Sequence, residues 1–203
     1  MKVLIACEYS GTVRDAFIME GHDAYSNDII DTDSNPIRHL KMDVIDAIHS
    51  RKWDGIIVHI PCTAMGVCGN GTYGRGKPRH NERLEAIEWS LNVWDAACKN
   101  ADWVAMENPA SVLFPALRES RSAHVQYIQP WQFGHMEQKK TGLALHNAPP
   151  LQPTNNVYEE MMKLPKAQRE RVFYMSPSAD RGKERARFYS GVAQAMAKQW
   201  GNK

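Results

Sequence analysis

The run Ile56-Ile57-Val58-His59-Ile60 constrains this chain more than any other, because it is apolar, β-branched and halted at Pro61-Cys62-Thr63. Such a run reads as a buried strand. A glycine-rich loop from Gly66 to Gly76 follows, with little intrinsic stiffness. A cysteine at the C-terminal end of a parallel strand, beneath such a loop, sits where open α/β sheets place their chemistry. Cys62 is therefore read as a nucleophile, against the alternative of an inert buried thiol.

The flanking chain supplies the frame. Lys2 to Cys7 is a strand candidate, with Glu8-Tyr9-Ser10-Gly11 as its turn. Thr12 to Glu20 carries Val13, Ala16 and Phe17 at helical spacing and stops at Gly21. His22 to Ser26 reads as a second strand ending in Asn27-Asp28, followed by a polar loop to Pro36. A helix through about Arg51 precedes the Trp53 to Ile60 strand. Asn81 to Lys99 reads as a helix with Leu84, Ile87, Leu91, Trp94 and Cys98 on one face. Asp102 to Met106 is the next strand, terminated by Glu107-Asn108-Pro109. Val112 to Leu117 is a short helix, and Val125 to Ile128 and Gly142 to His146 are later strands. Ser190 to Trp200 closes the chain as a helix with Val192, Ala193, Met196 and Trp200 as its apolar stripe. Strands alternating with helices predict an α/β fold, a doubly wound, mostly parallel, Rossmann-like sheet. At 203 residues the chain is most simply one domain.

A net charge of +2 does not announce a nucleic-acid partner by itself. The charge is uneven, however. Lys163, Lys166, Arg169, Arg171, Arg181, Lys183, Arg185 and Arg187 form a basic stretch that can hold phosphates or merely solvate a helical face. Apolar runs are too short for a membrane span. Met1 to Ile5 leads straight into a strand, so a cytoplasmic location is expected. Its four cysteines, Cys7, Cys62, Cys68 and Cys98, are then reduced thiols.

In a doubly wound sheet the strand ends converge on one edge and can be read as a set. Gly11 is placed to let the backbone approach a ligand. Asp28 is placed for a ribose, and Asp43 for an adenine neighbour. The first turn lacks the Gly-x-Gly-x-x-Gly fingerprint, which disfavours a nicotinamide cofactor. Cys62 and Glu107 end neighbouring units. A thiolate can add to carbon 6 of a pyrimidine, and a carboxyl group can hydrogen-bond or protonate the ring nitrogen.

The order Glu8-Tyr9-Ser10-Gly11, Asp28, Asp43, Pro61-Cys62, Glu107-Asn108 resembles the cytosine-5 DNA methyltransferases, in particular short phage-encoded forms lacking a full target-recognition domain. The resemblance implies a sheet of the S-adenosylmethionine-dependent methyltransferase type, with S-adenosylmethionine as cofactor. It implies Cys62 and Glu107 as catalytic residues, and Glu8, Tyr9, Ser10, Gly11, Asp28, Asp43, Pro61, Gly191 and Val192 around the cofactor. Thr63, Asn108, Arg75, Lys77, Arg79, Lys139 and Lys140 are the implied substrate contacts, and the loop from Gly66 to Arg79 would close over a flipped base. Thr63 stands where the family has glutamine, and Pro109 where it has valine. Lys139 and Lys140 are the nearest substitutes for its Gln-x-Arg-x-Arg motif. Only residues 142–187 remain as a reduced recognition segment.

DNA is the expected substrate. A nucleotide, RNA or a modified base is the alternative, and a non-catalytic nucleic-acid-binding protein with the same fold is a rival of another class. A zinc site from His59, Cys62, Cys68 and His80 matches no common spacing. The stretch from Trp131 to His135 could stack a base, but core packing is the favoured reading.

Overall fold

Ile56, Ile57 and Val58 have no exposed surface, because their strand runs through the centre of a seven-stranded sheet. The computed structural model describes residues 1–176, 178 and 181–202, without the side chain of Lys183. Its strands are β1 (Lys2–Ala6), β2 (Asp23–Asp28), β3 (His39–Lys41), β4 (Trp53–His59), β5 (Ala101–Pro109), β6 (His124–Ile128) and β7 (Thr141–His146). They lie in the order β3-β2-β1-β4-β5-β7-β6. The first five are mutually parallel, while β7 runs antiparallel to both its neighbours. The expected doubly wound, mostly parallel α/β fold is thus the one found.

The helices are α1 (Thr12–Met19), α2 (Val44–His49), α3 (Asn70–Tyr73), α4 (His80–Asn100), α5 (Leu113–Arg121), α6 (Tyr158–Met162), α7 (Lys166–Arg169), α8 (Arg171–Tyr174), α9 (Arg181–Ala186) and α10 (Ser190–Trp200). Strand residues alternate between two apolar layers. Leu4, Ile56, Val58, Val104 and Met106 face the layer of α2, α4 and α5. Val3, Ile5, Ile57, Trp103 and Ala105 face α1 and α10. Burying Phe17 and Met196 there contributes about 1.5–3 kcal/mol each relative to exposure. Gly55 is required in this layer, since a Cβ would lie 2.1 Å from the Trp103 indole.

The structure departs from the sequence reading in four places. The strand β3 escaped notice because three residues carry no periodicity; it is held where the Asn27 amide donates to the carbonyls of Leu40 (2.8 Å) and Met42 (2.9 Å). The strand β5 does not end at Met106. Pairing with β7 carries it through Glu107↔Leu143, Asn108↔Gly142 and Pro109↔Thr141. The expected α4 stripe packs on the core at Ile87, Leu91, Trp94 and Cys98, but Leu84 is 51% exposed, and Arg83, Ser90, Val93 and Ala97 are buried as well. Finally, the glycine-rich loop is not slack. It folds into a 3-10 turn at Val67–Gly69 and the short α3, with Tyr73 buried.

Candidate active site at the strand ends

The turn after β1 is built on positive-φ residues, Cys7 (φ 56°) and Gly11 (φ 72°). Glu8 is buried beneath it and caps α1: its Oε1 accepts from the Val13 amide (2.7 Å) and the Ser10 hydroxyl (3.2 Å), and its Oε2 from the Arg14 amide (3.3 Å). Burial raises the Glu8 carboxyl above its ordinary range, against the opposing effects of His59 and these hydrogen bonds. Glu8 is thus committed to the fold instead of facing a ligand. Gly11 is likewise approached by the chain itself, since a Cβ there would meet Arg14 Nη2 at 2.6 Å and Ser34 Cβ at 2.9 Å. The Tyr9 carbonyl accepts from Thr32 Oγ1 (2.6 Å) and the Asp33 amide (3.0 Å). This pins the loop after β2 over the turn. Ser10 stays half-buried at a cleft.

Asp28 and Asp43 gather around Cys7, whose thiol is pushed up to about 12 by burial and then by these two carboxylates. One oxygen of each is engaged locally. Asp28 Oδ1 accepts from the Ile29 and Ile30 amides (2.7 and 3.3 Å), and Asp43 Oδ1 caps α2 at the Ile45 amide (2.8 Å). Beside them lies an apolar ledge that sequence reasoning missed: Ile29 is 72%, Ile30 42% and Met42 38% exposed. Two isoleucines in a loop straight after a strand-ending acid were the available signal. Carboxylates beside an apolar ledge suit the hydroxyls and flat ring of a nucleoside.

Cys62 and Glu107 come together on adjacent strand ends. Register pairs His59 of β4 with Glu107 of β5, and His59 Nδ1 lies 3.1 Å from Glu107 Oε2, both side chains nearly buried. Cys62 follows at the surface, as do Pro61 and Thr63. The protein crowded around Sγ raises the Cys62 thiol above its ordinary range; the Glu107 charge adds to this and Lys139 opposes it. The Cys62 carbonyl accepts from the amides of Met65 (3.2 Å) and Gly66 (2.8 Å). Arg83 fastens the loop beyond, donating to Ala64 O (2.7 Å), Asn70 Oδ1 (2.8 Å) and Gly66 O (3.4 Å).

The expected substrate contacts separate into groups. Arg75 and Lys77 are exposed on the glycine loop. Arg79 is committed to Glu82 through two bonds of 2.6 and 2.7 Å and lies over the Tyr73 ring. Lys139 faces the site, holding the Arg185 carbonyl at 2.9 Å. Lys140 does not, because its ammonium sits 4.4 Å over the Tyr127 ring, which packs against Phe114. Asn108 has no exposed surface and donates to the Ile60 carbonyl at 2.7 Å, so it clamps the Cys62 loop and presents nothing to a substrate. Of the basic stretch from Lys163 to Arg187, the Lys183 side chain lies outside the described residues.

An open cleft of about 620 Å³ lies between Ser10, Thr12 and Asp33 on one side and His135, Phe188 and Ser190 on the other. Gly191 serves the packing here: a Cβ would lie 2.1 Å from the Phe133 carbonyl, and its amide donates to His135 Nε2 at 2.9 Å. Val192 is buried in the core, against a crevice of about 10 Å³ lined by Glu107, Lys139, Phe188 and Tyr189. Phe133 is a core residue and Trp131 packs on Tyr158, in line with the favoured reading of that stretch. Among the described residues no group of His, Cys, Asp and Glu is arranged to hold a metal, and no helix is long and apolar enough to cross a membrane. His59 is engaged with Glu107, and His80 Nδ1 with the Tyr73 carbonyl.

No protein-family model and no curated protein sequence matches the chain. Solved structures align with parts of it. A prophage-encoded Escherichia coli protein named as a DNA modification methyltransferase is 13% identical, with a TM-score of 0.43 over 82% of this chain and 56% of that one. The Entamoeba histolytica methyltransferase EhMeth is 11% identical, with a TM-score of 0.49 over 77% of this chain and 57% of that one. Spodoptera frugiperda DNMT2 is 18% identical, with a TM-score of 0.44 over 77% and 54%. The chain spans little more than half the length of these structures.

Proposed function

We propose that this chain is an S-adenosylmethionine-dependent methyltransferase acting at carbon 5 of cytosine in DNA, through a covalent adduct of Cys62. The observation that carries the reading is the Cys62 thiol, on a residue at the surface, beside the Glu107 carboxyl at the ends of adjacent parallel strands, with Lys139 as the cation facing both. Cys62 Sγ adds to carbon 6, forming an S–C bond as the 5,6 double bond opens. Glu107 meets the charge that develops at the ring nitrogen. The cofactor, when bound, supplies an electrophilic methyl group. Carbon 5, once methylated, gives its proton to solvent water, the S–C bond breaks and the thiolate is restored. Lys139 favours the thiolate that begins this sequence.

Asp28 and Asp43, with the Ile29, Ile30 and Met42 ledge, would hold the nucleoside part of the cofactor. Ser10 and the start of α10 would line the rest of its path. Pro61 and Thr63 flank the nucleophile. Arg75, Lys77 and the basic stretch would take phosphates, and a base in a duplex must be flipped out to reach Cys62. Residues 142–187 form the reduced recognition segment of a single catalytic domain. Since its helices α6 to α9 have only four to six residues each, a single-stranded nucleic acid or a nucleotide is the second reading.

Titration calorimetry with S-adenosylmethionine, followed by methyl transfer to DNA, RNA and nucleotides and mass spectrometry of the digested nucleosides, tests the proposal. The expected product is 5-methylcytosine, absent with Cys62→Ser although that variant still binds cofactor. Salt-sensitive DNA binding without cofactor binding would contradict it and favour the non-catalytic rival.

A further inference from the structure

His59 is the residue of this site that the proposed chemistry leaves unused. Its Nδ1 lies 3.1 Å from Glu107 Oε2, and its Nε2 is buried without a hydrogen-bond partner among the described residues. The ring edge packs on Phe188 at 4.8 Å between centroids, and the Glu8 carboxyl lies near enough to interact with it. One tautomer satisfies this arrangement. With the proton on Nδ1, the ring donates to Oε2 and Nε2 is a bare acceptor. With the proton on Nε2, a buried N–H would lack an acceptor, and two lone pairs would face each other across 3.1 Å.

Resting on the methyltransferase reading above, we propose that His59 is a positioning residue for Glu107, fixing its carboxyl through an Nδ1–H···Oε2 bond so that Oε1 alone is presented to the ring nitrogen of the substrate base. The bond also differs between ground and reacting states. As the base is seated, Glu107 takes the proton that the Cys62 thiol gives up; when Sγ adds to carbon 6 that proton passes to the ring nitrogen, and the carboxylate left behind accepts from His59. Hydrogen bonds to an ionised acceptor are roughly twice as strong as neutral ones. The interaction therefore tightens as the adduct forms, which lowers the barrier and leaves substrate affinity unchanged. Glu8, fixed by the α1 amides, backs the imidazole from the β1 side.

The test compares His59→Asn, which keeps a donor near the Nδ1 position, with His59→Leu, which keeps the bulk alone, in the full chain and with thermal unfolding as a control. His59→Leu is expected to lower kcat for methyl transfer about 100-fold at unchanged KM, and His59→Asn to recover most of that loss. In a Glu107→Gln background, His59→Leu is expected to cost nothing further. Histidine 15N spectra, assigned by the loss of a signal in His59→Asn, read the same contact without activity. They should show the proton on Nδ1, with a signal moved by Glu107→Gln and unmoved by Cys62→Ser. Full activity of His59→Leu, an undiminished loss in the Glu107→Gln background, or a proton on Nε2 with Nδ1 bare would each overturn the assignment. If wild type transfers no methyl group to any substrate, the methyltransferase reading fails instead, and the spectra alone decide whether His59 holds Glu107.

Discussion

The Asn108 side-chain amide donates to the Ile60 carbonyl across 2.7 Å, tying the end of β5 to the last residue before Pro61-Cys62. The bond is fully buried and spans two neighbouring strands where backbone pairing between them has ended at His59↔Glu107. It therefore sets where the cysteine leaves the sheet. Asn108→Ala leaves a buried carbonyl unsatisfied, at a cost of about 1–3 kcal/mol. Urea denaturation should show that loss at an unchanged m-value, together with slower chemistry at Cys62.

A second prediction concerns pH and stability. Burial raises the Glu8 carboxyl above the ordinary value of 4.5. The native state then holds a proton that the unfolded chain has already released, so this group makes stability fall as pH rises from 4.5 through the raised folded value. Glu8→Gln removes that titration while retaining one acceptor for α1. The change in unfolding free energy between pH 5 and pH 8 should be smaller in the variant than in wild type, measured by denaturation at each pH.

Cys62 is also raised, and here the quantity read is reactivity, which grows with pH. Its thiol is raised by the crowding around Sγ and by Glu107, with Lys139 pulling the other way. Alkylation by iodoacetamide should therefore be slow at neutral pH and rise about tenfold per pH unit below the thiol's pKa, because the thiolate is the reactive form. Lys139→Met should slow it further at any fixed pH, and Glu107→Gln should speed it. Peptide mass spectrometry separates Cys62 from the exposed Cys68.

The glycine loop gives a fourth test. Arg83 is buried and holds Ala64, Gly66 and Asn70 at once. Arg83→Met keeps the bulk and removes every donor. Limited trypsin digestion should then cut after Arg75 and Arg79 faster than in wild type, while the core sheet resists both.

How far could the sequence be read? The central strand, the cysteine at its end and the closing helix with Val192, Ala193, Met196 and Trp200 were legible, because burial writes a periodic pattern. On α4 the stripe holds from Ile87 to Cys98, but Leu84 departs from it because Leu84 and Val93 carry the same apolar signal, and only the neighbours decide which one turns inward. The role of Arg83 was illegible, since a buried arginine defined by three carbonyl oxygens of a distant loop leaves no local trace. Glu8, Gly11 and Asn108 were read as facing a ligand. Their types suit that task, but they also suit capping a helix, yielding to Arg14 and clamping a carbonyl, and only tertiary contact distinguishes the two. His59 appeared as a candidate metal ligand, because its partner Glu107 lies on another strand.

The most direct measurement of the central claim is covalent trapping. Wild-type protein with S-adenosylmethionine and DNA containing 5-fluorocytosine is resolved on a denaturing gel, with single-stranded DNA and RNA alongside. Fluorine cannot leave carbon 5 as a proton does, so the adduct cannot resolve. A stable complex mapped to Cys62, absent in Cys62→Ser and strongly reduced in Glu107→Gln, is the predicted result. Cofactor binding with no complex on any of these substrates, or a complex that persists in Cys62→Ser, would contradict it.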